Sequence, residues 1–156
     1  MTVFNLSVRP CHGRLRIAAI ALLAWLGLGA LAGGASLVAK PDGSVMHFST
    51  SLLAGSPFAD YTIPGLILGG LFGVGSLVLA VMAYRREPIA PFLIFGVGVA
   101  MMIWIVVELI VIKKLSFLHP VFFLTGLGLA AVAVPWGLPT LREARRAGLT
   151  ATRPRA

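Results

Sequence analysis

Glu108 stands alone in "WIVVELIVIKK", the stretch from Trp104 to Lys114, with hydrocarbon side chains around it. A charge near the centre of a membrane helix costs about 2.5–3.5 kcal/mol, so such a group persists where it pairs, hydrogen-bonds or binds something. A helix would place Glu108 about 7 Å inside the end marked by Lys113. Lys113 lies about 140° around that helix and is a poor counter-ion. Glu108 shares its face with Met101, Trp104, Ile105 and Ile112, so it points at another helix. At similar depth the chain offers Ser36, Thr125 and His119, with Tyr61 at the rim. Glu108, Trp104, His119 and Thr125 therefore form the candidate intramembrane polar site. Three uses are open to it: a polar tie between helices, a contact to a partner's helix, or, with His47, a small site for a quinone, a lipid or a proton.

The other reactive residue types give less. His47 and His119 are expected at one face and His12 at the other, so a bis-His haem is conceivable, but no carboxylate pattern supports it. Cys11 is the single cysteine, which excludes an internal disulfide and a paired-cysteine metal site. No Ser–His–Asp order, carboxylate pair or ligand cluster is present, and no metal or cofactor is expected. Asp42 and Asp60 read as turn residues.

The elements that must position these groups follow from composition. Of 156 residues, 58% are hydrophobic and 12% charged, against roughly 45–50% and 25% in soluble domains. A soluble fold of this length has too little interior for so much apolar surface, and a bilayer is the alternative. Four segments reach the about 20 apolar residues that a membrane helix needs: 17–38, 64–84, 91–112 and 118–138. The expected fold is a single all-α domain over 1–156: a four-helix transmembrane bundle, an ordered outer loop at 39–63 and a basic tail at 139–156. The N-terminal apolar run is longer than a signal-peptide core and is read as a retained span.

Lysine and arginine set the expected direction. Arg9, Arg14, Arg16, Arg85, Arg86, Arg142, Arg145, Arg146, Arg153 and Arg155 fall on one side, Lys40, Lys113 and Lys114 on the other. Both termini are therefore expected in the cytoplasm, with Tyr84 and Trp136 at the inner interface and Tyr61 at the outer. The charge of +8 then reflects topology and attraction to anionic lipid headgroups rather than nucleic acid. The tail "LREARRAGLTATRPRA" should be disordered alone in water, although "PTLREARRAG" could form a short helix with Glu143 and Arg146 on one face.

Gly65, Gly69 and Gly73, four apart, form a stripe that lets another backbone approach closely, either within the bundle or on a partner subunit. Gly27, Gly33, Gly34, Gly96 and Ala100 add small residues for the same purpose. In the outer loop, Pro41, Asp42, Gly43 and Ser44 form a turn in which Gly43 tolerates positive φ, and Ser56–Pro57 supplies a second turn. Between them "FSTSLLA" is too short to span, and Phe48, Leu52, Leu53 and Phe58 are expected to touch the bundle or the headgroups.

"PDGS", "SPFADYTIPGL", "WIVVELIVI" and "FLHPVFF", from Leu31 to Ala133, resemble a family of small four-helix bacterial membrane proteins of unknown function. The chain departs from that pattern at Val45, Met46, His47 and Phe48, where Gly and Pro are frequent, and at Glu108, where an amide is frequent. The resemblance implies a fold and a bacterial cytoplasmic-membrane location, and no activity.

With no catalytic set, the leading expectation is a non-enzymatic accessory subunit of a larger membrane assembly of respiratory or photosynthetic type. The alternative is a small binding or transport protein with a quinone, lipid or proton site around Glu108. An enzyme acting on lipid or quinone would need His119 and Glu108 together.

Overall fold

The computed structural model describes residues 9–46, 49–55, 57–112 and 116–151, with side chains described over 13–46, 49–55, 57–111 and 116–138. Among the described residues there is no strand, and four long helices carry the fold: α1 (Arg9–Ala39), α2 (Thr62–Tyr84), α3 (Ala90–Ile112) and α4 (Leu118–Ala151). Each contains a stretch long and apolar enough to cross a membrane: Gly13–Ala39, Thr62–Tyr84, Ala90–Val111 and Leu118–Leu138. No more than 33% of any span's most apolar window is buried within the bundle. Leu28, Leu66, Ile103 and Leu124 turn outward, as do many other large apolar side chains. That outward surface is what lipid requires, and helices satisfy their backbone groups without water.

α1 lies between α2 and α4, and α3 pairs most extensively with α4. Lipid tails are as apolar as leucine, so helices associate by close packing rather than by a hydrophobic drive. Small residues set that packing. A Cβ on Gly34 would stand 2.5 Å from the Gly69 nitrogen and 2.6 Å from the Gly65 carbonyl oxygen, so α1 and α2 touch backbone to backbone. Gly73 lies under Leu31, whose Cδ1 would be 2.9 Å from an added Cβ. The stripe Gly65, Gly69 and Gly73 is therefore occupied within the molecule by α1. A second crossing joins α3 to α4, where a Cβ on Gly98 would meet the Gly126 oxygen at 2.6 Å. Gly96, which the sequence offered for this purpose, faces open space. Around these crossings Ala19, Leu23, Leu26 and Ala30 of α1 meet Phe72, Leu79, Met101, Ile105, Leu129 and Ala133 in the core.

α2 is not a plain helix. Leu68–Val74, "LGGLFGV", winds as π-helix, and the Gly75 N–H donates to the Gly70 carbonyl. Three glycines in seven residues leave little side-chain crowding to hold the tighter α winding, and π segments inside α-helices are otherwise rare. The C-terminal end of α2 is closed by the Arg86 N–H donating to the Ala83 carbonyl (3.2 Å) and the Glu87 N–H donating to the Met82 carbonyl (3.1 Å). Arg86 takes φ of 63° there, the left-handed position that glycine usually fills. α4 continues helically through Pro135 and past Leu138 to Ala151. The tail is thus one continuous helix over 139–151 rather than a separate short one. Its Leu, Arg, Glu and Ala residues are strong helix formers, and membrane helices tolerate interior proline.

The backbone contact at Gly34 predicts a graded response. Gly34→Leu should destabilise the bundle by about 1–3 kcal/mol through overpacking, whereas Gly96→Ala should be neutral or mildly stabilising. Thermal unfolding of both variants in one detergent measures the difference.

Candidate functional site

α3 brings Met101, Trp104, Ile105 and Glu108 to one face, and α4 begins with His119 opposite them. His119 Nε2 stands 4.0 Å from Glu108 Oε2, with His119 buried and Glu108 partly so. That separation allows electrostatic attraction and is too long for a hydrogen bond. The imidazole is set by the turn before α4. The Ser116 N–H donates to His119 Nδ1 at 3.0 Å. The Ser116 carbonyl, 3.2 Å from Nδ1, already accepts the backbone N–H of His119. Nδ1 is therefore the acceptor, and in the neutral ring Nε2 carries the hydrogen and faces Glu108. Trp104 Nε1, one turn before the carboxylate, is the other donor beside it; it is buried and no hydrogen bond of good geometry joins it to any group. Phe72 of the π segment stacks on Trp104 with centroids 5.8 Å apart and planes tilted by 55°.

These groups border a cavity of about 300 Å³ between α1, α3 and α4. Gly29, Ala30 and Gly33 of α1 leave the space, and Trp25, Trp104 and Phe122 supply aromatic walls. Leu68 and Met46 reach it from α2 and from the loop. Trp25 is 58% exposed, so the cavity borders the lipid-facing surface. The remainder of the lining is hydrocarbon, with polar groups gathered at the end nearest the loop.

The chain between α1 and α2 folds over that end in two 3₁₀ turns, Ser44–Met46 and Thr50–Leu53. Asp42 Oδ1 accepts from the Ser44 N–H (3.0 Å) and Asp60 Oδ1 from the Thr62 N–H (2.9 Å). Gly43 takes φ of 77°. The backbone and hydroxyl of Ser44 hold the Asp42 carboxyl below its ordinary range. Tyr61 closes the loop: its N–H donates to the Pro41 carbonyl (3.0 Å) and its hydroxyl to the Ser49 carbonyl (3.0 Å). The Tyr61 ring is buried with Leu37 and Leu53, so it faces inward rather than toward headgroups.

Of the four residues read as the polar site, Glu108, Trp104 and His119 come together. Thr125 does not. Its hydroxyl donates to the Val121 carbonyl of its own helix at 2.8 Å, the usual way a helical threonine satisfies itself in an apolar setting. Ser36 likewise donates to the Ala32 carbonyl (2.8 Å). His47, Phe48, Ser56, Lys113 and Lys114 lie outside the described residues. Sequence reasoning took Gly33 for helix packing alone and missed Gly29 and Ala30 beside it, and Ser76, whose wholly buried hydroxyl makes no hydrogen bond. Among the described residues no group of His, Cys, Asp and Glu could hold a metal ion.

Fold and site together define a multi-pass membrane protein, a bundle of four apolar helices with a polar-ended cavity near one end. Compared with protein-family models, curated proteins and solved structures, the chain matches none of them. The resemblance drawn on "PDGS", "SPFADYTIPGL", "WIVVELIVI" and "FLHPVFF" therefore rests on those residues alone.

The loop closure predicts a specific weakness. Tyr61→Phe should cost about 1 kcal/mol and speed amide exchange over 41–53, read by hydrogen–deuterium exchange. Burial pushes the Tyr61 phenol up from its ordinary 10.0. The folded state thus favours the protonated ring, and the loop's stability should hold below pH 10 and fall above it in the wild type. The phenylalanine variant should lack that fall.

Proposed function

We propose that this protein is a membrane-embedded binding protein that holds one lipophilic small molecule by its polar end against Glu108, His119 and Trp104. The observation that carries the reading is the cavity itself. At about 300 Å³ it lies at the lower end of the range for ligand sites, and it has their usual make-up of apolar walls with a few convergent polar groups. A polar tie between helices would be served by a direct hydrogen bond; Glu108 and His119 are held apart and leave room. The ligand would enter from the bilayer past Trp25. By the distribution of lysine and arginine, the loop end lies outside a bacterial cytoplasmic membrane and both termini lie inside.

Purification in lipid nanodiscs followed by extraction and mass spectrometry tests this. The wild type should carry an amphiphile near one per chain. Gly33→Leu, which fills the cavity, should retain less than about a tenth of it, while Gly96→Leu, which faces open space, should retain it all. Equal amounts in all three would overturn the reading.

A second reading is an accessory subunit of a larger membrane assembly. The glycine stripe no longer speaks for it, but the helical extension of α4 over 139–151, rich in arginine, offers a surface beyond the membrane. Affinity capture from native membranes in mild detergent decides it. A stoichiometric larger complex is the expected result on this reading, and a chain that always migrates alone ends it.

A further inference from the structure

We infer that the cavity takes a lipophilic organic cation, with Glu108 as its counter-ion, in exchange for one proton. This rests on the reading of the cavity as a ligand site. Among the described residues that line it, Glu108 is the one carboxylate, His119 is the one base, and there is no lysine or arginine. An isolated charge in such surroundings is costly. The empty site is therefore neutral, with its one exchangeable proton on the Glu108 carboxyl. A monocation seated against the carboxylate replaces that proton, which leaves for water. The site is neutral again, and no electrons move.

Each feature of the lining fits this occupant. The backbone of Ser116 already orients His119 through Nδ1, so the imidazole keeps its place when the cation enters. Trp25, Trp104 and Phe122 line the cavity with aromatic rings, and the negative quadrupole of such a ring's face attracts an organic cation. Met46 and Met101 supply adaptable walls. An inorganic cation is a poor match, since calcium or magnesium needs six or more oxygen ligands and the lining offers one carboxylate beside the Ser116 turn. An anionic head would meet no lysine or arginine among the described lining residues. α1, α2 and the described part of the loop bring no titratable group to the cavity. Among the described residues Glu108 on α3 and His119 on α4 are thus the titratable groups that face it, with Lys113 and Lys114 outside the described residues.

The test uses the full chain in phosphatidylcholine nanodiscs. Tetraphenylphosphonium is titrated from pH 5 to 8, followed by tryptophan fluorescence and by calorimetry in two buffers of different ionisation heat. Decylubiquinone serves as a neutral probe in parallel. Saturable binding of one cation per chain is expected, with release of one proton. Affinity should rise about tenfold per pH unit while the empty site keeps its proton, and level off above that. Glu108→Gln keeps the shape of the side chain and should weaken the cation about a hundredfold. Trp25→Leu, on the lipid-facing surface where the fold does not depend on it, should weaken the cation about tenfold and spare the neutral probe. If decylubiquinone saturates while the cation only partitions, or binds equally to Glu108→Gln, the inference fails and the cavity reading stands. If neither probe saturates in the wild type, both fall.

Discussion

The contact on which the bundle depends is the meeting of two backbones at Gly34 with Gly65 and Gly69. In lipid no solvent is squeezed out when helices associate, so the gain comes from dispersion between closely approaching atoms and from what polar contacts survive. Any side chain at Gly34 would push α1 and α2 apart along the whole of their shared length. Gly98 and Gly126 play the equivalent part between α3 and α4. These crossings pin the helices as two pairs, with α1 also packed on α4.

The cavity is a consequence of the same use of small residues on another face of α1. Gly34 and Gly27 turn toward α2, where backbone and leucine fill the space. Gly29 turns toward Phe122 of α4 and Gly33 toward Leu68 of α2, and with Ala30 they border the space that Trp104, Ile105 and Phe122 stop short of closing. The π-wound stretch of α2 contributes to that wall, since it delivers Phe72 against Trp104 and Leu68 to the lining. A plain α winding would carry those two side chains at other angles. Helix packing and site formation are thus the same problem solved on opposite sides of one helix.

The four spans were legible because twenty consecutive apolar residues have few other uses. Depth alone brought His119 into the set offered to Glu108, beside Ser36, Thr125 and Tyr61, and did not choose among them. Thr125 was misread because depth says nothing of self-satisfaction, and a threonine hydroxyl can reach its own helix's carbonyl four residues back. The glycine stripe announced a close contact, yet four-residue spacing carries no name for the surface it meets. Gly96 and Gly98 differ by a rotation of about 200° around the helix, so choosing the wrong one of them exchanges lipid for α4. The π segment left no signal beyond its glycines, because the energy separating the two windings depends on what Phe72 and Leu68 pack against.

The spacing of the polar groups follows from where their orientation comes from. His119 is turned by the Ser116 backbone at the start of α4, whereas Glu108 is carried by α3, which reaches α4 through the Gly98–Gly126 crossing several turns away. Two groups fixed by independent supports need not relax into a mutual hydrogen bond, and they remain 4.0 Å apart. A shorter distance would make the pair self-sufficient and the cavity a packing defect. A much longer one would leave the carboxylate without compensation in hydrocarbon. The observed gap, with Trp104 Nε1 unpaired beside it, leaves the carboxylate attracted to its neighbour but not satisfied by it, which is the condition under which a third group can bind.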